Sequence, residues 1–234
     1  MIKWSTKNIY LDNFLFGILA GLAIGVGGFL NLLLLSQGLR YLGGICFSVG
    51  LFSVCFFSLH LFTGKVGYIL ENKKSYYLSL LLMYIGNVIG AVGFGYLMYL
   101  TGISTSGILK DTAINVANNK IFNFGDNWYQ SLLKIAIFSF FCGIMVFLAV
   151  DVFKKTKSFI VKLFNLIVCV ALFVITGMEH CIANMFYFAI SNIYATEIGA
   201  ALLAIAIATI GNSVGAILSY IVVRNVNKKS EANK

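Results

Sequence analysis

The sequence predicts an all-α integral membrane protein of six transmembrane helices, arranged as two inverted three-helix repeats with the second and fifth helices broken. Three observations lead there. Of the 234 residues, 60% are apolar and 11% charged, and apolar runs of about twenty residues, the length a bilayer core requires, recur along the chain. Two of those runs are far longer than a bilayer is thick. Both over-long runs also take the same place, second of three, in their half of the chain.

The first run is 14–36. The stretch before it, "MIKWSTKNIYLDNF", has neither an apolar core nor a small-residue cleavage site, so residues 1–13 read as a cytoplasmic N-terminal segment and not as a signal peptide. The second run, 40–70, is interrupted by the polar turn "HLFTGK". The third is 76–100. The connection 101–130 is the only long polar stretch and divides the chain. In the fourth run, 131–153, Lys134 and Asp151 lie near the ends, where they are expected to snorkel to the interface.

The fifth run, 159–191, would extend about 50 Å as one helix, against a hydrocarbon core of about 30 Å. The chain contains no proline, so glycine is expected to supply the bends, Gly64 and Gly67 in the second run and Gly177 in the fifth. The sixth run is 197–223, followed by a basic tail, 225–234. The membrane domain is thus 14–224, with repeats of about 14–100 and 131–223.

An internal echo supports that division: "GNVIGAVGFGYL" (86–97) resembles "GNSVGAILSYIV" (211–222). An odd number of crossings per half makes the second half inverted, and matched broken helices in inverted repeats point to a transport pathway at their interface. Gly17, Gly21 and Gly25 recur every four residues, as do Gly86 with Gly90 and Gly211 with Gly215, which suits close helix packing.

Thirteen Lys and Arg flank the N-terminus, the 65–74 and 154–162 connections and the C-terminus, against four (Arg40, Lys110, Lys120, Lys134) on the other side. That bias puts both termini in the cytoplasm of a multi-pass plasma-membrane protein. The net charge of +9 sits between apolar runs, where it meets membrane lipid and not nucleic acid. The five cysteines lie in apolar segments without CxxC pairing and read as small buried hydrophobes.

In 159–191 only Lys162, Glu179 and His180 carry or could carry charge. A mid-membrane charge costs about 2.5–3.5 kcal/mol on insertion scales, so such a pair implies a use. An enzyme is not indicated: the chain has no HExxH, no Ser–His dyad spacing and no aspartate pair. A divalent-metal carrier built from His60, Glu179, His180 and Cys181 is the other class weighed, although adjacent side chains on a helix diverge. No cofactor or metal site is indicated. Helix ends exposed at the breaks favour anions. A small anion cannot cross a dry apolar ring as a charge. His180, with an ordinary pKa of about 6.5, could donate a proton or a hydrogen bond, and Thr63 could orient it.

"LFTG" (61–64) and "EHCIANMF" (179–186) resemble the broken-helix motifs of the formate–nitrite transporter family. The resemblance implies an aquaporin-like subunit and a homopentamer with one pore per subunit. It also implies passage of small monovalent anions: formate or nitrite first, hydrosulfide or a short-chain monocarboxylate as alternatives. Carried over by motif, His180 is the central pore histidine, Asn184 the asparagine after it, and Glu179 its acidic neighbour. Leu61, Phe62 and Thr63 form the first loop. Leu51, Leu61, Phe62, Val146 and Phe173 are the expected constrictions. Three positions depart from the pattern: His60 precedes LFT in place of an acidic residue, Gly143 replaces an asparagine, and Asn127 stands where an anion-attracting lysine is expected. Lys120 or Lys134 is the candidate replacement for that lysine.

Overall fold

The computed structural model describes residues 6–232, with side chains through Val226. These residues form nine α-helices and no strand: α1 (Ile9–Ser36), α2 (Arg40–Phe56), α3 (Phe62–Lys65), α4 (Ser75–Leu100), α5 (Gly107–Asn118), α6 (Trp128–Lys155), α7 (Phe159–Ile175), α8 (Cys181–Ile190) and α9 (Ile198–Ala232). Helices α1, α4, α6 and α9 are long and apolar enough to cross a membrane on their own, while α2, α7 and α8 are shorter apolar helices.

Three boundaries differ from the sequence reading. Helix α1 starts within the expected N-terminal segment because Asn8 caps it, its Oδ1 accepting from Tyr10 N at 3.0 Å and Leu11 N at 3.3 Å. Residues 1–5 of that segment lie outside the described residues. The polar connection 101–130 contains α5, which buries Ala113 and Ala117. Helix α9 continues through the basic tail to Ala232.

The most extensive helix pairs are α1 with α4 and α6 with α9. Both are contacts made through small residues. A Cβ on Gly21 would run into the Asn87 carbonyl and one on Gly90 into that of Ile18; Gly211 and Gly215 meet Ser139 and Phe140 in the same way. Backbones that touch gain dispersion contacts that lipid cannot match. Helix α8, with all ten residues buried, packs against α4 and α9. Leucines such as Leu19, Leu81, Leu97 and Leu202 point outward, as a lipid-facing surface requires.

Helices α2 and α7 end in the same capping arrangement. Leu59 N donates to Val54 O at 2.8 Å and Met178 N to Phe173 O at 2.9 Å, with Ser58 N to Cys55 O and Gly177 N to Val174 O inside those loops. This is a Schellman motif, which needs one left-handed residue. Gly177 supplies it at φ +76°, and Ser58 at φ +56°.

The bend at 57–61 is therefore not made by Gly64 and Gly67, contrary to expectation. Those glycines come after the break. A Cβ on Gly64 would stand 3.1 Å from Val150 Cγ2, and one on Gly67 2.7 Å from Phe147 Cδ2, so they serve close packing.

Candidate functional site

Both interruptions leave backbone groups without helical partners, and a lipid-facing interior offers no water to satisfy them. Two asparagines meet that need. Asn87, 0% exposed, accepts from Phe62 N at 2.8 Å and donates to His60 O at 3.0 Å and to Gly17 O at 2.8 Å. Asn212, also 0% exposed, accepts from Cys181 N at 2.9 Å and donates to Glu179 O and Ser139 O, each at 2.8 Å. Each amide spans the residue at the tip of its break, Leu61 in one and His180 in the other.

His180 caps α8: its Nδ1 accepts from Ala183 N at 3.1 Å. An acceptor nitrogen carries no proton, so the ring is neutral with its hydrogen on Nε2. That nitrogen lies 2.9 Å from Thr63 Oγ1, in the first turn of α3, and so donates to it. The two interruptions therefore meet at this contact. The Phe173 ring stacks on the imidazole, centroids 5.8 Å apart.

Glu179 is 1% exposed. Its Oε2 accepts from Lys120 Nζ at 2.9 Å and from Asn184 Nδ2 at 2.7 Å. Of the two lysines weighed for the missing cation, Lys120 makes this ion pair, and it also donates to Met178 O at 3.2 Å. Lys134 donates to Asn119 O at 2.8 Å, while Asn127 is exposed at the start of α6. The buried carboxylate is tolerable because a half-buried lysine and an amide both partner it.

These residues border a cavity of about 380 Å³, lined by Glu179, His180, Asn184, Phe173, Tyr187 and Asn31, with Lys120, Lys134 and Arg40 among its cations. A second cavity, of about 250 Å³, is bounded by Val54, Leu61, Gly64 and Val150 and carries Lys65, Lys154 and Lys162 with no acidic residue. Lys154 Nζ rests 4.2 Å from the Tyr68 ring centroid and Lys162 Nζ 5.1 Å from that of Phe153.

The structure thus gathers His180, Thr63, Glu179, Asn184 and Phe173. Leu61 faces the lysine cavity. Leu51 and Val146 are buried in the same apolar cluster as Leu61 and Phe173 but border neither cavity. Phe62 points elsewhere, edge-on to Tyr84 at 5.0 Å. His60 lies edge-on to Phe16 at 5.3 Å. Asp151 does not snorkel: it is 5% exposed, accepts from Tyr68 Oη at 2.9 Å and pairs with Lys155 at 2.8 Å, because the turn after α3 brings Tyr68 against α6. Among the described residues no three His, Cys, Asp or Glu side chains are grouped to hold a metal ion.

Sequence reasoning missed Asn87, Asn212 and Tyr187. The signal for the first two was on the page, since the echoed strings both begin Gly-Asn and only their glycines drew attention. Nothing local marks Tyr187, which accepts from Asn31 Nδ2 at 3.0 Å across 156 residues.

The sequence model of the formate/nitrite transporter family matches residues 5–225. The chain belongs to that family. Formate channel FocA of Escherichia coli (strain K12) is 30% identical over 155 residues, 63% of this chain and 52% of FocA, so the match spans about half the length of that relative. Formate channel BtFdhC of Bacillus thuringiensis is 27% identical over 184 residues, 73% of this chain and 68% of BtFdhC. Among solved structures, a pentameric formate channel with formate bound superposes with a TM-score of 0.76 at 25% identity, covering 98% of this chain and all of the other. An ion channel of the same family superposes at 0.71 and 22% identity, covering 95% and 89%. The all-helical architecture is accordingly that of the formate/nitrite transporters, a membrane transport family and not an enzyme family.

Proposed function

We propose that the chain forms a transmembrane channel for small monovalent anions, with formate or nitrite as first cargo and hydrosulfide or a short-chain monocarboxylate as alternatives. In this reading α2–α3 and α7–α8 each cross as a broken pair, giving six crossings in two inverted halves. Both termini face the cytoplasm of the plasma membrane. Five copies assemble, each with its own pore; the formate channel that the chain resembles in fold is pentameric. No cofactor takes part.

The observation that carries the reading is the 2.9 Å contact of His180 Nε2 with Thr63 Oγ1, where two interrupted helices meet beside the cavity that His180 lines. A dehydrated anion needs a donor there, and Nε2–H can turn from threonine to the guest. Transfer of that proton would leave an imidazolate unless Nδ1 first took up a proton, which would break the Ala183 cap at 3.1 Å. Hydrogen-bond donation has no such cost. His180 therefore lowers the barrier by donating a hydrogen bond while the guest exchanges protons with water at the mouths. The three lysines beyond Leu61 gather anions at the other entrance.

The test is a competition series in proteoliposomes holding the full chain, comparing formate, nitrite, hydrosulfide, acetate and lactate at two pH values. Formate and nitrite are expected to pass best. His180→Phe should fold and assemble but lose about 10- to 100-fold in flux, the equivalent of one strong hydrogen bond. Unchanged flux at every pH would remove the histidine from the mechanism.

A further inference from the structure

The two cavities differ in how their cations are balanced. In the one beside His180, Lys120 is paired with Glu179 at 2.9 Å. The one bounded by Leu61 gathers Lys65 from the last turn of α3, Lys154 from the last turn of α6 and Lys162, the fourth residue of α7. Among the described residues no acidic side chain lines it, and none of these three lysines forms an ion pair. Asp151, one turn before Lys154 on α6, has both oxygens engaged: Oδ1 accepts from Tyr68 and Oδ2 from Lys155.

The positive-inside bias accounts for lysines on this side of the membrane. It does not account for three of them, from three helices, converging on one concavity. Lys154 is held against the Tyr68 ring and Lys162 against that of Phe153, at 4.2 and 5.1 Å, so two of the heads are placed before any guest arrives. Lys65 and Lys154 stand near enough to repel each other. Lys162 sits at the positive end of α7, where a cation is disfavoured. Lys65 and Lys162 are half-buried, and water screens such charges less than it screens surface ones. An anion relieves each of these costs, and a doubly charged one relieves more than a singly charged one.

Formate balances one of the three charges. A phosphate group brings two charges and oxygens enough to meet several lysines at once, and a cavity of about 250 Å³ holds it with water to spare. Its second charge also stops it there. Val54, Leu61 and Val150 on the cavity wall are buried and apolar, and the cost of entering such surroundings rises with charge.

We propose that the lysine cavity is a regulatory site for a doubly charged phosphate group, which docks on Lys65, Lys154 and Lys162 and closes the cytoplasmic entrance without crossing. The proposal rests on the channel reading and topology above. Inorganic phosphate, a soluble phosphate monoester and a phosphatidic acid headgroup share this chemistry. Formate and phosphate compete for the same lysines, so the block saturates with phosphate and is relieved by excess formate.

Formate flux in phosphatidylcholine proteoliposomes holding the full chain tests this at about pH 7.5, with inorganic phosphate on both faces so that the direction of insertion is immaterial. Flux should fall about fivefold or more as phosphate saturates, while sodium chloride of equal ionic strength slows it far less. A second arm puts phosphatidic acid into vesicles free of inorganic phosphate; slowing in that arm alone assigns the group to the bilayer. Equal slowing by the two salts, with none from phosphatidic acid, would mean screening only and would overturn the proposal. In Lys65→Gln combined with Lys162→Gln the block should vanish, whatever the flux without phosphate; an undiminished block overturns the proposal. If that protein does not assemble, Lys162→Gln alone should demand about tenfold more phosphate for the same block. Binding is read apart from flux as the thermal midpoint in detergent, which phosphate should raise by about 2 °C or more over chloride. Failure of the channel reading looks different: no formate would pass even without phosphate, and the midpoint would then decide the site, an absent shift overturning it.

Discussion

At Ser58 and at Gly177 the chain leaves a helix through a left-handed residue, with φ of +56° and +76°, and two residues later each segment is gripped by a buried asparagine. The hydrogen bonds correspond one for one: Asn87 holds His60 O and Phe62 N, and Asn212 holds Glu179 O and Cys181 N. The residues at the tips do not correspond. Leu61 stands over a cavity of lysines, whereas His180 stands over one with a buried ion pair. The backbone plan is shared, and the chemistry is set by single side chains mounted on it. One half keeps an apolar tip; the other places a hydrogen-bond donor.

The first way to break the comparison is to remove the clamps. Asn212→Leu and Asn87→Leu each strand the backbone C=O and N–H that flank the tip of a break, at about 1–3 kcal/mol apiece. Both variants should lose the sharp size-exclusion peak of an assembled protein in detergent. If Asn87→Leu is tolerated while Asn212→Leu is not, the two interruptions are not equivalent.

A smaller effect concerns what distinguishes the second break. Lys120→Met leaves the Glu179 carboxylate buried without its cation, a loss of about 3–5 kcal/mol. The double variant Lys120→Met with Glu179→Gln should recover most of it, read as the thermal midpoint in detergent. No recovery would mean that Lys120 acts through packing and not through its charge.

The smallest effect tests the turn itself. Ser58→Gly relieves a left-handed serine and brings the first break closer to the second. Stability should rise by about 1 kcal/mol, a gain of about 2–4 °C in the thermal midpoint. A fall would show that the serine side chain contributes more than its backbone costs.

Much of this was legible in the residues. Excess length marked both interrupted runs, because hydrophobic length is a local property set against a fixed bilayer thickness. The string "EHCIANMF" located His180, Glu179 and Asn184, which share a cavity. The first turn was misread because a glycine was sought where a serine adopts the left-handed conformation. Helix α5 was missed because its inward stripe is only two alanines, Ala113 and Ala117, within a polar connection. Asp151 was assigned to the interface because its partner Tyr68 lies 83 positions away.

The sequence by itself determined that the chain spans a membrane, that its two over-long runs are interrupted, and which ionisable residues sit in the second of them, since each follows from side-chain type and run length alone. Tertiary structure decided that Lys120 and not Lys134 reaches Glu179, across 59 positions, and that Thr63 meets His180 across 117. Partners so far apart in the chain are chosen by how helices pack, and in a dry interior each polar group must accept whichever partner that packing brings within reach.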